Sequence, residues 1–219
     1  MPRRNSVGPV ALLYALAFLP SVATAQKLGP DYSQRSLPGN GGGDTTSSGS
    51  DLGSRDTGPV ACVYQFSHRL PFADLIDLVR AGYVAKTRKQ QTTFHMLGET
   101  VAACRSGQGW GAARQNAGLQ YFSGSIFLED ALHQGRDMGL TATILRTLAG
   151  QLDPATRAAF DSGNVDGRQM AATIAGMKAA GLDTAALTDD QRGQLGPLVA
   201  QGLWGLHLQE AARASFKKG

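Results

Sequence analysis

The sequence is poor in the residues on which catalysis and recognition usually depend. Its 219 residues include two cysteines, four histidines and 7% aromatic residues, and only 17% of the chain is charged. Two cysteines are too few for a small protein held together by disulfides. A net charge of +4 is too small to indicate nucleic-acid binding. Glycine is frequent, at 28 residues, but without a collagen repeat. What remains is a globular protein of one or two small domains.

The first 25 residues have the pattern of a secretory signal peptide. Arg3 and Arg4 precede an uncharged apolar run, Val7–Leu19, and Ala23-Thr24-Ala25 supplies the small residues that signal peptidase requires. The run is shorter than the roughly 20 residues that cross a bilayer. We therefore predict a signal peptide over residues 1–25, no transmembrane span in the mature chain, and a periplasmic or secreted protein.

The composition changes twice after the signal peptide. Residues 26–59 are rich in glycine, serine, threonine and aspartate, with Asn40–Gly49 at the centre. Such a segment buries too little apolar surface to offset the entropy lost on ordering, so we predict a flexible tether. From residue 60 onward apolar residues repeat at helical spacing, and we predict a helical domain over residues 60–219.

Helix-start patterns divide this domain into several elements. The patterns are Asp153-Pro154, Asp166 with Gln169, and Thr188 with Gln191. Glycine and proline interrupt most periodic runs: the sequence predicts separate helices over Ala112–Tyr121 and Ser125–Asp137, and a bend at Gly196-Pro197 before a last helix over Pro197–Phe216. The predicted fold is all-α, a compact array of six to eight short helices behind a disordered N-terminal tail.

The two cysteines predict a disulfide. Cys62 precedes the first predicted helix and Cys104 ends the second, so two antiparallel helices bring them together. An exported chain meets an oxidising compartment, which favours the bridge. Free thiols and an intermolecular bridge are the alternatives. The cysteines do not form a Cys-x-x-Cys motif, so redox catalysis is not indicated.

Each of the three glutamates has a histidine one helical turn away. The sets are His95 with Glu99, Glu129 with His133 and Asp137, and His207 with Glu210. This spacing places both side chains on one helix face, as in carboxylate–histidine metal sites of helical bundles. Such a site would take iron, copper or zinc.

Helical wheels separate these three sets. The first two lie opposite the apolar stripes of their helices, which favours solvated pairs over a metal site. The last helix is apolar almost all round, and Glu210 falls within its apolar arc. We therefore predict a buried polar pair of His207 and Glu210. A solvated helix end and a functional site are the alternatives.

Two short segments bear on binding. Arg80, Lys86, Arg88 and Lys89 form a basic patch, which is either a solvated turn or a surface for anionic envelope polymers or lipid head groups. Leu187-Thr188-Asp189-Asp190-Gln191 resembles the Leu-Thr-x-x-Gln motif of small all-helical periplasmic chaperones of the Spy type. The same residues form an ordinary helix-capping box, and the five-residue match does not identify the family.

No motif of a hydrolase, metalloprotease, nucleotide-binding or haem protein occurs in the sequence. We therefore expect an exported, non-catalytic helical domain, without a cofactor, that binds a protein partner or a cell-envelope component. The alternatives are a metal-dependent activity that uses the histidine–glutamate sets and a chaperone-like role.

Overall fold

A computed structural model describes residues 58–162 and 164–219, and over these residues the chain is helical without a strand. The all-α prediction is confirmed. The predicted signal peptide, and the tether as far as residue 57, lie outside the described residues. The helices are α1 (Cys62–Ser67), α2 (Phe72–Arg80), α3 (Arg88–Gln108), α4 (Ala112–Gly135), α5 (Ala142–Gln151), α6 (Pro154–Ser162), α7 (Gly167–Ala179) and α8 (Asp189–Lys218).

The three helix-start patterns found in the sequence each lie at the beginning of a helix, as predicted. The Asp153 carboxylate accepts hydrogen bonds from the backbone N–H groups of Ala155 and Thr156, both at 2.9 Å, before α6. Complete capping boxes begin two other helices, at Asp166 for α7 and at Thr188 for α8. These bonds satisfy backbone donors that have no partner inside the helix.

Three helices are longer than the sequence predicts, with 21, 24 and 30 residues in α3, α4 and α8. The sequence predicted that a separate last helix begins at Pro197, and this is wrong, because α8 continues through Pro197. A proline inside a helix costs about 3 kcal/mol. The neighbouring Leu195, Leu198 and Val199 are buried, and each buried side chain of this kind contributes about 1.5–3 kcal/mol. Tertiary packing therefore outweighs the lost hydrogen bond.

The helices predicted over Ala112–Tyr121 and Ser125–Asp137 are likewise one element, α4. Gly124 does not end this helix. A Cβ atom on Gly124 would lie 2.6 Å from the carbonyl oxygen of Gly205 on α8, and a Cβ atom on Gly205 would lie 2.6 Å from the carbonyl oxygen of Gly124. The two backbones are therefore in direct contact at this crossing, and a larger residue does not fit at either position.

The α4–α8 pair forms the most extensive helix–helix contact of the described elements and joins two hydrophobic clusters. The first cluster packs α1, α2 and α3 against one half of α4 and includes Val63, Leu78, Leu97, Tyr121 and Phe122. The second packs α5 and α6 against α8 and α7 against α5, with the C-terminal half of α4 alongside, and includes Leu132, Leu145, Leu148, Met177 and Val199. Both helix groups are thus positioned by the same central pair.

The predicted disulfide is present. Cys62 at the start of α1 is bonded to Cys104, four residues before the end of α3, with 6.0 Å between their Cα atoms. Both cysteines are buried in the first cluster. The bridge closes a loop with a sequence separation of 42 residues, which the chain-entropy model values at about 4 kcal/mol.

Candidate functional site

The histidine and carboxylate residues considered as metal ligands do not come together. His95 and Glu99 form an exposed pair on α3, with 3.5 Å between Nε2 and Oε1. His133 and Asp137 are exposed near the end of α4, and Glu129 is half-buried. Within residues 58–162 and 164–219, no three histidine, cysteine, aspartate or glutamate side chains are placed to share a metal ion.

Glu129 differs from its expected outward position. Helix α1 packs across this face of α4, and the Tyr64 hydroxyl donates a hydrogen bond to the Glu129 carboxylate at 2.9 Å. Burial, and then the negative charge of Glu129, raise the pKa of Tyr64. A helical wheel does not predict this contact because it assigns one apolar face to the helix. In the structure, other helices pack on several sides of α4.

The prediction of a buried pair of His207 and Glu210 is wrong. Glu210 is exposed, and the half-buried His207 ring stacks on Trp204 with 5.3 Å between centroids. The buried polar residue is Gln209, whose side-chain nitrogen donates to the Ser125 hydroxyl at 3.0 Å. The face of α8 that contacts α4 runs through Gly205 and Gln209, so Glu210 lies beside that contact rather than within it.

The basic patch is partly neutralised by neighbouring aspartates. Lys89 pairs with Asp74 at 2.5 Å. Arg80 donates to Asp130 at 2.6 Å. Lys86 and Arg88 are exposed where α3 begins. The patch is therefore a weaker anion-binding surface than its sequence suggests.

Asp130 lies at the centre of a polar network that sequence reasoning missed. One oxygen of this buried carboxylate accepts hydrogen bonds from Arg80 on α2 at 2.6 Å, Gln134 on α4 at 2.9 Å and Gln201 on α8 at 2.6 Å. Gln201 also donates to the carbonyl oxygen of Phe127 at 3.0 Å. The network fixes three helices together. Asp130 lies four residues after Ile126, which is buried, and residues at this spacing share a helix face. This spacing is the sequence feature that could have predicted that Asp130 faces inward.

The end of α3, the start of α4 and the end of α8 lie close together. The Trp110 ring, just after α3, contacts the Phe216 ring on α8 with 5.4 Å between centroids. Gly219 follows α8 and lies against Ala113 on α4. We name the cationic side chains around this junction the cationic end: Arg105, Arg114, Arg213, Lys217 and Lys218.

The chain segments that form the cationic end contain no acidic residue. Neither Thr100–Leu128 nor Ala211–Gly219 includes an aspartate or glutamate. The exposed Glu210 is the nearest acid along α8, one turn before Arg213. Sequence reasoning missed this site because its cations come from distant parts of the chain, although the two acid-free stretches were visible.

Compared with known proteins, the chain matches no protein-family model, no curated protein and no solved structure. None of the helices between residues 58 and 219 is both long and apolar enough to cross a membrane.

Replacing Asp130 with alanine should lower the free energy of unfolding by about 2–3 kcal/mol, because two glutamine amides and Arg80 lose their shared acceptor. The loss should stay below that of a fully buried ion pair, since the Arg80 side chain is 44% exposed. Urea unfolding measures the change. The control is Asp137→Ala at an exposed site, with an expected effect within about 0.5 kcal/mol. Equal effects at both positions would show that the network does not hold the helices.

Tyr83 should make stability depend on pH in the alkaline range. Its hydroxyl is hydrogen-bonded to Ser123 at 2.5 Å, and burial raises the pKa of Tyr83 to about 12. The unfolded tyrosine has the ordinary value of 10.0, so the folded state holds the proton more tightly. This contribution is complete below pH 10 and is lost as the pH rises towards 12.

Urea unfolding over this pH range should therefore show a shallower loss of stability for Tyr83→Phe than for the unchanged chain. The comparison uses the slope against pH, since the variant also loses the bond to Ser123. An identical slope in both proteins would contradict the assignment.

Proposed function

We propose that the protein is a non-catalytic binding domain that holds an anionic partner, an acidic protein or an anionic envelope component, at its cationic end. The supporting observation is the gathering of five cationic side chains from three helices, in chain segments without an acid. Clustered charge of one sign attracts a partner of opposite charge and speeds its association.

Some side chains of the cationic end occupy positions that are electrostatically unfavourable for the folded state. Arg114 lies in the first turn of α4, where the helix dipole disfavours a cation by about 0.3–1 kcal/mol. Arg213 and Lys217 are four residues apart on α8, a spacing at which like charges repel by a few tenths of a kcal/mol. Lys217 and Lys218 do complement the dipole at the end of α8.

The proposed setting is an oxidising compartment, either the periplasm or the outside of the cell. The Cys62–Cys104 disulfide supports this setting, because such bridges persist where thiols are not kept reduced. The signal peptide predicted over residues 1–25 and the tether predicted over residues 26–59 agree with it. In this proposal the tether lets the helical domain reach a partner at a distance.

Retention of the disulfide-bonded chain on immobilised poly(L-glutamate) tests the proposal. The triple variant Arg105→Gln, Lys217→Gln, Lys218→Gln should elute at a clearly lower salt concentration than the unchanged chain, because salt screens the remaining attraction. The matched control removes three exposed cations elsewhere: Arg146→Gln, Arg168→Gln, Lys178→Gln. Elution of both triple variants at the same salt concentration would show that retention reflects overall charge and would overturn the proposal.

A further inference from the structure

We propose that an open cavity beside Pro197 binds a neutral sugar ring, either as a free sugar or as one unit of a glycan. The cavity lies between the last turn of α4 and the first third of α8. The cationic end lies where α4 begins and α8 ends. The sugar site is therefore separate from the surface proposed above and does not depend on it.

The cavity has the size of a small-molecule site. Its volume is about 510 Å³, within the range of roughly 300–1,000 Å³ that such sites occupy. The described residues that line it are all uncharged: Gln134, Gly193, Gln194, Pro197 and Leu198. A charged ligand would lose part of its hydration there without gaining an ion pair to these residues, so the lining favours a neutral ligand.

Pro197 leaves a backbone acceptor without its usual partner in the wall of the cavity. In a helix, the carbonyl oxygen of residue i accepts a hydrogen bond from the N–H group of residue i+4, and proline has no N–H group. Because α8 continues through Pro197, the Gly193 carbonyl lacks that donor. Gly193 is exposed, and a Cβ atom on it would have no neighbour within 4 Å. The Gly193 carbonyl oxygen can therefore accept a hydrogen bond from a ligand.

Two glutamine side chains supply further polar groups. The Gln134 amide nitrogen donates to the Asp130 carboxylate at 2.9 Å, which fixes the amide with its carbonyl oxygen on the side away from Asp130. The exposed Gln194 amide can both donate and accept. Pro197 and Leu198 add apolar surface beside these groups. The wall thus combines acceptors, a donor and an apolar area.

A sugar ring matches this combination. Each sugar hydroxyl can donate one hydrogen bond and accept others, and the C–H groups of the ring can pack on apolar side chains. Peptides are commonly bound at the edge of a sheet, in an apolar groove or between aromatic rings. The described residues form no strand, and none of those that line the cavity is aromatic. The cavity therefore favours a sugar over a peptide.

Titration of the disulfide-bonded chain with the methyl glycosides of glucose, galactose, mannose and N-acetylglucosamine tests the proposal. The site is small and open, so we expect a Kd of about 1 mM. NMR spectra of the isotope-labelled chain should show saturable shifts of the side-chain amide signals of Gln134 and Gln194 with at least one of these sugars. The disaccharide of that sugar then distinguishes a glycan, which should bind at least as tightly, from a free sugar.

Pro197→Ala separates a binding role of the cavity from a purely structural one. Alanine restores the N–H group that bonds the Gly193 carbonyl within α8, so the sugar should bind about fivefold more weakly, while the melting temperature stays equal or rises. Gln194→Ala should weaken binding by a similar factor, because the wall loses a group that both donates and accepts. The matched control is Gln91→Ala at an exposed position of α3, which should leave sugar binding unchanged.

Three results would overturn the sugar site. The first is the absence of saturable shifts with every sugar up to about 50 mM, a range that covers millimolar Kd values. The second is unchanged sugar binding in Pro197→Ala or in Gln194→Ala. The third is tighter binding of the peptide mimic N-acetylalanine methylamide than of any sugar, which would identify a peptide site. Failure of the chain to be retained on poly(L-glutamate) would remove the function proposed for the cationic end and leave the sugar site standing.

Discussion

The backbones of α4 and α8 touch where Gly124 meets Gly205, and the rest of the structure depends on this contact. A side chain at either position would force the backbones of the two helices to shift, since a Cβ atom there would lie within 3 Å of backbone atoms of the opposite helix. Both hydrophobic clusters are built against this pair, one on each side of the crossing. Close helix approach thus replaces the large side chains that the sequence lacks.

Polar and covalent links attach the first three helices to this central pair. The disulfide joins α1 to α3, the Arg80–Asp130 ion pair joins α2 to α4, and Gln201 extends that network to α8. The same pair of helices carries Arg114 and Arg213 of the cationic end, each of which lies over an aromatic ring of the opposite helix. The surface that we propose for binding is therefore built on the most extensively packed elements of the described chain.

The sequence predicted features that are local and missed those that arise from packing. The all-α class and the capping boxes of α7 and α8 follow from short patterns, and the disulfide from the number and position of the cysteines. The continuity of α8 through Pro197 does not, because it depends on leucines buried against other helices. The burial of Asp130 and the exposure of Glu210 depend on which helices surround α4 and α8. The cationic end joins residues about 100 positions apart, beyond the range of any periodic pattern.

The most direct test of the α4–α8 contact is the free energy of unfolding of Gly205→Ala compared with Gly193→Ala, measured in urea. Both glycines lie in α8, but a Cβ atom on Gly193 has no neighbour within 4 Å, whereas one on Gly205 would lie 2.6 Å from a backbone oxygen. Gly193→Ala should leave stability unchanged or raise it by about 0.5–1 kcal/mol through helix propensity. Gly205→Ala should lower it by about 1–3 kcal/mol through overpacking. Equal stability of the two variants would contradict the account.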